Sequence, residues 1–155
     1  MSPFLAWVET TRIATTVRES LLLTGGLSAV HLLGFTLVTG GALVANLRLL
    51  GVLFPQRPVV EVTIPAGRGI AVGLALSVAT GLLLCAPRAL AASANGTFQL
   101  KMLLLVAAAV FHATLHRRVV QRAPSARRML RATGAVGLAL WLGVALAGSA
   151  FILLE

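Results

Sequence analysis

An uncharged apolar run limits what this chain can fold into. Residues Met102–Phe111 contain no charged side chain and form the centre of a longer apolar segment, Phe98–Arg118. A helix rises about 1.5 Å per residue, so a segment of this length can cross the hydrocarbon core of a bilayer. Backbone N–H and C=O groups in hydrocarbon must be satisfied within the segment, which predicts an α-helix. The sequence therefore predicts a membrane protein.

The composition agrees with this prediction and excludes other classes of protein. Of the 155 residues, 58% are hydrophobic and 11% are charged, and the mean hydropathy is +0.96. A soluble domain of this size could not bury so much apolar surface. The net charge of +9 could indicate a nucleic-acid partner, but six of the thirteen basic residues lie between Arg117 and Arg131, in a predicted loop between apolar spans. Membrane topology explains them better, so we expect no nucleic acid.

Four spans are predicted, which gives an all-α, polytopic membrane four-helix bundle forming a single domain over residues 1–155. The predicted limits are about 20–46, 68–86, 98–117 and 133–154. Residues 1–19 precede them, with Phe4, Trp7 and Val8 at helical spacing. We interpret this segment as a short amphipathic helix in the interface, anchored by Trp7, with a frayed extension as the alternative. Residues 54–68 hold three prolines and are interpreted as a connecting loop.

Small residues recur at every fourth position in two of the spans. The second span carries Gly69, Gly73, Ser77 and Gly81, and the fourth carries Ala135, Ala139, Gly143 and Ala147. Such stripes let neighbouring helices approach closely, so both are predicted to be packing surfaces. The single cysteine, Cys85, forms no intrachain disulfide and fits no cysteine-based metal motif.

The distribution of basic residues predicts the orientation. The loops after the first and third spans, with their flanks, carry nine arginines: Arg48, Arg57, Arg68, Arg117, Arg118, Arg122, Arg127, Arg128 and Arg131. The opposite side carries four basic residues: Arg12, Arg18, Arg88 and Lys101. Basic residues concentrate on the cytoplasmic side, so both termini are expected outside the cytoplasm.

Three histidines are the main candidates for chemistry. No nucleophile–base pair, phosphate-binding loop or carboxylate pair is visible, and none of the four acidic residues lies within a predicted span. Acid/base or hydrolytic catalysis therefore has almost no candidate groups, and we expect the chain not to be catalytic by itself. Neutral imidazole is a common metal ligand and a usual axial ligand of haem iron. His31 lies in the first span, whereas His112 and His116 lie in the third.

Two counts along the sequence disagree about the depth of these histidines. From the outer side, His31 follows Glu19 by twelve residues and His112 follows Lys101 by eleven, so the two could hold one haem b between parallel spans. From the inner side, His31 precedes Arg48 by seventeen residues, but His112 precedes Arg117 by five. That mismatch is about 18 Å of helix, and only tilt or an extension of the first span beyond the lipid would remove it.

The candidate cofactor-binding residues are His31, His112, His116, Gly34 and Arg117, with His31 and His112 as iron ligands and His116 as the alternative ligand. His116 and Arg117 could also hydrogen-bond a haem propionate at the interface, or His116 could snorkel. Gly34 lies one turn from His31, where a missing side chain admits either a flat ligand or a neighbouring helix. Two alternatives stay open: His31 hydrogen-bonds within the bundle and the others are interfacial, or the histidines line a pathway for protons, metal or a small solute.

Seven short motifs occur in order along the chain: Arg18-Glu19-Ser20, His31-Leu32-Leu33-Gly34, Leu47–Gly51, Asn95–Leu105, His116-Arg117, Trp141–Val144 and Ala147-Gly148. Together they resemble a bacterial four-helix inner-membrane family of uncharacterised function, grouped loosely with copper-resistance protein D and cytochrome b561-like bundles. The resemblance covers nearly the whole chain and implies four helices in a bacterial inner membrane, but it supplies no reaction.

The resemblance also bears on the site residues. His31 and His116 match the family's usual histidine positions, and His112 is an addition. An acidic residue common before the first histidine is absent, with Leu27 and Ser28 in its place, and an arginine common after the last Ala-Gly is Ser149. Losing these charges favours a neutral buried cofactor or a docking role over ion transport.

The functional expectation is an integral subunit that binds haem b for electron transfer, or anchors a membrane redox complex, with other subunits or a periplasmic redox protein as partners. The alternatives are a cofactor-free structural membrane subunit and a small transporter for a metal or another solute.

Overall fold

The described chain is helical almost throughout. The computed structural model describes residues 2–116, 118 and 127–153, without the side chains of residues 115, 116 and 150–153. No strand occurs in these ranges. The helices are α1 (Pro3–Glu9), α2 (Arg12–Glu19), α3 (Leu21–Leu50), α4 (Val59–Cys85), α5 (Ala89–Ala94), α6 (Gly96–Phe111) and α7 (Arg127–Leu153). A 3₁₀ turn, Ala86–Arg88, joins α4 to α5, and a π-helical turn, His112–His116, follows α6.

Four helical segments of this structure are long and apolar enough to cross a membrane. They are Leu21–Leu50, Val59–Ala94, Gly96–Thr114 and Arg127–Ser149. The predicted all-α four-helix architecture is therefore confirmed, and length and composition make the protein a multi-pass membrane protein.

The N-terminal segment forms two short helices, where the sequence predicted one. The break falls at Thr10 and Thr11 because the Thr11 side chain caps α2, accepting a hydrogen bond from the Ala14 backbone N–H at 3.4 Å. The aromatic rings of Phe4 and Trp7 are exposed and their centroids lie 6.0 Å apart. This exposure suits the predicted anchoring of Trp7 in the interface.

The N-terminal helices pack on the connection between α4 and α6. The Arg18 guanidinium donates a hydrogen bond to the Pro87 carbonyl at 2.9 Å, and the Glu9 carboxylate accepts one from the Leu90 N–H, also at 2.9 Å. Ala14 and Val17 are buried at this end of the bundle. We call it the outer end, and the opposite end, which carries the α3–α4 loop, the inner end.

Helix α4 begins nine residues before the predicted limit at Arg68. Pro58 is its N-cap and Pro65 lies inside it, so most of the segment interpreted as a loop is helical. Proline near a helix start removes one backbone hydrogen bond, here the one to the Glu61 carbonyl, and membrane helices tolerate such a loss. The true loop is the short segment 51–58, which starts at Gly51 with φ of 83°.

The long helices follow the order α4, α3, α7, α6 around the bundle. α3 packs against α4 and α7, and α6 packs against α7. The shared core contains Val38, Ala42, Ile70, Ala108, Trp141 and Val144. Within the described helices, α4 and α6 do not pack closely along their length. An open apolar groove of about 500 Å³ lies between them, lined by Leu74, Ala75, Val78, Ala79, Leu105, Val106 and Ala109.

Close contact between α3 and α4 depends on small residues. A β-carbon on Gly34 would lie 2.6 Å from Ser77 Oγ, and one on Gly73 would lie 2.9 Å from Leu37 Cβ. A β-carbon on Gly69, by contrast, would meet nothing within 4 Å. The predicted stripe of α4 therefore contacts α3 through its later members only, because residues four apart turn about 40° around a helix at each step.

The predicted stripe of α7 was wrong for two of its four members. Ala135 and Ala139 are exposed, whereas Gly143 is partly buried and Ala147 is buried. The buried face of α7 instead runs through Thr133, Gly134, Gly137, Trp141, Val144 and Ala147. From Gly134 onward this face combines steps of three and four residues, which keeps it in line along the helix better than a strict step of four does.

Candidate functional site

His31 lies at the outer end of the bundle and faces α4. Its Nδ1 atom lies 3.0 Å from Thr80 Oγ1, and its Cε1 atom would lie 3.1 Å from a β-carbon on Gly81. Gly81 therefore provides the space that the imidazole ring occupies. Thr80 is 7% exposed, so this hydrogen bond is sheltered from solvent. Hydrogen bonding of His31 within the bundle, one of the alternatives from the sequence, is thus observed.

The hydrogen bonds of Thr80 fix the tautomer of His31. The Thr80 hydroxyl donates to the Leu76 carbonyl at 2.7 Å. A hydroxyl has one proton, and with that proton on the Leu76 carbonyl Oγ1 accepts from the imidazole, so we assign the imidazole proton to Nδ1. This assignment leaves the lone pair on Nε2. A ligating histidine typically has this arrangement, with one nitrogen donating to the protein and the other available to a ligand.

Lys101 of α6 belongs to the same outer region. Its charge acts on the His31 imidazole, and its Cε atom would lie 3.8 Å from a β-carbon on Gly148 of α7. The outer part of the bundle thus gathers His31, Thr80 and Lys101 from three different helices. Ionisable residues inside membrane helices are costly and mark candidate functional sites.

His112 lies far from this region, toward the inner end. It begins the π-helical turn that follows α6, and its Nε2 atom would lie 3.5 Å from a β-carbon on Gly67 of α4. A π-helical turn is uncommon and is often found at functional sites. Here it accompanies the approach of the His112 ring to a glycine on the neighbouring helix.

The structure does not bring His31 and His112 together. Both contact α4, but His31 lies against Gly81 and His112 against Gly67, fourteen residues apart. At the standard helical rise this separation is about 21 Å. The count from the inner side of the sequence was therefore the better guide. The outer count was misleading because α3 extends beyond its neighbours, with Leu21 and Leu22 88% and 89% exposed.

The other predicted site residues do not complete a shared site. Gly34 contacts Ser77 and Gly73 of α4, so the space at this glycine is occupied by a neighbouring helix, the second of its two predicted uses. His116 ends the π-helical turn, farther along the chain from His31 than His112 is, and its side chain lies outside the described residues. Arg117 also lies outside the described residues.

These positions test whether one haem could be held as the sequence predicted. Two axial ligands must lie on opposite sides of one iron, and a separation of about 21 Å along α4 does not allow this. Between the two histidines, α3 and α4 are in close contact at Gly34, Gly73 and Ser77. Among the described residues, no three histidine, cysteine or acidic side chains gather where they could hold a metal ion. His31 and His112 therefore lie too far apart in this structure to hold one iron between them, while haem binding itself stays a prediction.

A second cleft was missed by the sequence reasoning, and we call it the hairpin cleft. It has a volume of about 290 Å³ and lies between α3 and α4 beside their loop, lined by Gly40, Gly41, Val44, Phe54, Arg57, Glu61, Val62, Pro65 and Ala66. The available signals were Glu61, which interrupts an apolar segment, and the adjacent Gly40 and Gly41. These signals were not used because residues 54–68 were interpreted as a loop, and a loop gives no reason to expect a cleft between two helices.

The fold and these sites define an all-α, multi-pass membrane protein with a polar region at the outer end of its bundle. Residues 4–153 match the model of a family of unknown function, DUF6644, so the chain belongs to that family. No curated protein and no solved structure matches the chain significantly. The expected likeness to an uncharacterised family is thereby confirmed, while the likeness to copper-resistance protein D and cytochrome b561-like bundles stays a prediction.

Proposed function

We propose that this protein is a membrane-spanning structural subunit of a bacterial inner-membrane assembly, with both termini in the periplasm and a partner that carries the reaction. The observation that most supports this proposal is the separation of about 21 Å between the two described histidines. The interior polar side chains serve helix packing: Thr80 joins α3 to α4, and Asn46 lies between α3 and α7. Most of the described residues lie within the four membrane-spanning segments, so the proposal assigns the supply of electrons or substrate to a partner.

The absorption spectrum tests this proposal directly. We expect protein purified from haem-sufficient cells to be colourless and to give no signal in the pyridine haemochrome assay. A stoichiometric b-type spectrum would overturn the structural-subunit proposal.

Assembly is tested separately by native electrophoresis of membranes solubilised in mild detergent. The chain has a mass of 16.1 kDa, and we expect it in a larger complex with at least one different protein. Migration as the detergent-bound chain alone would contradict that expectation.

A second candidate function is haem b binding for electron transfer, with His31 as a single ligand from this chain. Two features favour this candidate. The Nδ1–H of His31 donates a hydrogen bond to Thr80 Oγ1, and this tautomer leaves a lone pair on Nε2 for a ligand. Any further ligand would come from a partner, because His112 is too distant. A bound haem would supply one-electron transfer, while Thr80 would hold the imidazole in its ligating tautomer.

Variants of the outer region separate the two candidates. If His31 is a ligand, His31→Ala abolishes the b-type spectrum, Thr80→Val shifts or weakens it, and Thr80→Ser preserves it because the acceptor oxygen is kept. His112→Ala should leave it unchanged.

Solute transport has less support, because the apolar residues Val38, Ala42 and Ile70 lie between the levels of His31 and His112.

A further inference from the structure

We propose that the hairpin cleft binds one phospholipid with a zwitterionic, amine-bearing headgroup. In this arrangement Arg57 holds the phosphate, Glu61 holds the ammonium group, and one acyl chain lies along Gly40 and Pro65. The proposal requires only that α3 and α4 span a membrane, and it is independent of the structural or redox role of the protein.

The apolar part of the cleft has the form of an acyl-chain groove. A β-carbon on Gly41 would lie 2.8 Å from the Ala66 carbonyl oxygen, so this glycine brings α3 and α4 into contact and forms the floor. A β-carbon on Gly40 would meet nothing within 4 Å, so the space above the floor is open. Gly40 precedes the end of α3 at Leu50 by ten residues, or about 15 Å of helix. A groove of this length inside the apolar part of the bundle suits a hydrocarbon chain.

The loop end of the same cleft carries two opposite charges. Arg57 lies in the loop and Glu61 in the first turn of α4, and both side chains are exposed. No ion pair within 4.0 Å joins these two described residues, so each charge can meet a ligand. A headgroup with one phosphate and one ammonium group satisfies both charges. A headgroup without an amine would place the same phosphate at Arg57 but leave the Glu61 carboxylate without a cation, which disfavours it.

The loop backbone is held in place around Arg57. The Arg48 guanidinium donates two hydrogen bonds to the Arg57 carbonyl, one of them from Nε at 3.1 Å. The Arg57 guanidinium lies 5.7 Å from the centre of the Phe54 ring. Phe54 has φ of 48°, in the left-handed region that non-glycine residues rarely adopt. These contacts order the cation at the loop end of the cleft before a lipid arrives.

Native mass spectrometry of the delipidated protein tests the headgroup assignment. The probes are phosphatidylethanolamine and phosphatidylglycerol with identical acyl chains, each titrated separately. We expect one phosphatidylethanolamine to bind about threefold more tightly than phosphatidylglycerol, as expected for one exposed charge contact. Arg57→Gln should weaken binding of both lipids. Glu61→Gln should weaken only phosphatidylethanolamine and so remove the preference. Equal affinity of the natural protein for the two lipids would overturn the proposal.

A matched pair of glycine variants tests the acyl-chain groove. Gly40→Phe fills the cleft, whereas Gly26→Phe places the same side chain elsewhere on α3, and a β-carbon meets nothing within 4 Å at either position. We expect Gly40→Phe to lose the bound phosphatidylethanolamine with an unchanged thermal midpoint, and Gly26→Phe to keep it. Retention by a folded Gly40→Phe protein, or equal loss in both variants, would show that the lipid binds elsewhere. The Arg57 and Glu61 variants provide the test if Gly40→Phe does not fold.

Discussion

Asn46 shows how a single polar side chain is used inside this bundle. It is 1% exposed, and its Nδ2 donates to the Ala42 carbonyl of its own helix at 2.7 Å. Its Oδ1 has no hydrogen-bond partner among the described residues and faces Gly137 of α7. An unpaired buried carbonyl costs about 1–3 kcal/mol. Gly137 has no β-carbon and so leaves room for this oxygen, which means that the Asn46 side chain fixes where α3 and α7 meet.

The contact between Asn46 and Gly137 should show up as coupling in a double-mutant cycle. Gly137→Ala would place a β-carbon against Asn46 Oδ1, and we expect it to lower the free energy of unfolding by about 1–3 kcal/mol. In the Asn46→Ala background the obstructing side chain is gone, so the same substitution should cost at least 1 kcal/mol less. Thermal or denaturant unfolding in detergent measures the four proteins. Strictly additive effects would mean that the two residues do not constrain each other.

His31 and His112 show where sequence reasoning about the site reached its limit. The sequence alone identified histidines as the candidate ligands, and His31 among them, because few other ionisable groups lie in the predicted spans. Their relative depth depends on how far α3 extends beyond its neighbours and on how α4 passes both rings. These are tertiary features that no count from a charged residue can determine. Arg57 and Glu61 were missed because three prolines led to the interpretation of residues 54–68 as a loop, although α4 already begins there.

At the scale of elements, the number and type of the helices could be predicted, but their ends and contact faces could not. Long apolar segments in lipid have one stable backbone form, so α3, α4, α6 and α7 were expected. A small-residue stripe was a less reliable guide. In α4 the members Gly73 and Ser77 do contact α3, but in α7 Ala135 and Ala139 are exposed while the large Trp141 is buried. Small residues permit close packing without requiring it, and a large side chain in a neighbouring helix can fill the same space.

Packing of α3 on α4 predicts unequal effects of two neighbouring substitutions. Gly73→Leu would drive a side chain into Leu37 and Val38, whose nearest atoms lie 2.9 Å from a β-carbon at that position. We expect a loss of at least 3 kcal/mol in stability or a large fall in the yield of folded protein. Ala71→Leu, on an exposed face, should change stability by less than about 0.5 kcal/mol. Size-exclusion profiles and thermal midpoints in detergent compare them. Equal tolerance of both changes would mean that this face of α4 is directed at lipid.

At the scale of the whole molecule, the N-terminal helices and the last part of α7 lie at the same end of the bundle. The N-terminal helices are joined to the connection between α4 and α6 by Glu9 and Arg18. Near its C-terminus, α7 brings Gly148 to Lys101, close to the start of α6. Helix α1 and the described end of α7 therefore lie at the outer end, with the α3–α4 loop at the inner end. The predicted orientation rests on charge alone, because the sequence assigns nine arginines to one side of the membrane and four basic residues to the other.

This arrangement predicts the labelling of single cysteines by a membrane-impermeant maleimide in whole cells. In a Cys85→Ser background, Ser2→Cys and Glu155→Cys should both be labelled after the outer membrane is permeabilised. Ser125→Cys, within the basic segment between the last two spans, should be labelled only after the cells are lysed. The three sites test two separate inferences. Labelling of Ser125→Cys alone in intact cells would reverse the orientation while preserving the bundle. Labelling of only one terminus would mean that the chain crosses the membrane an odd number of times, which the four-helix arrangement does not allow.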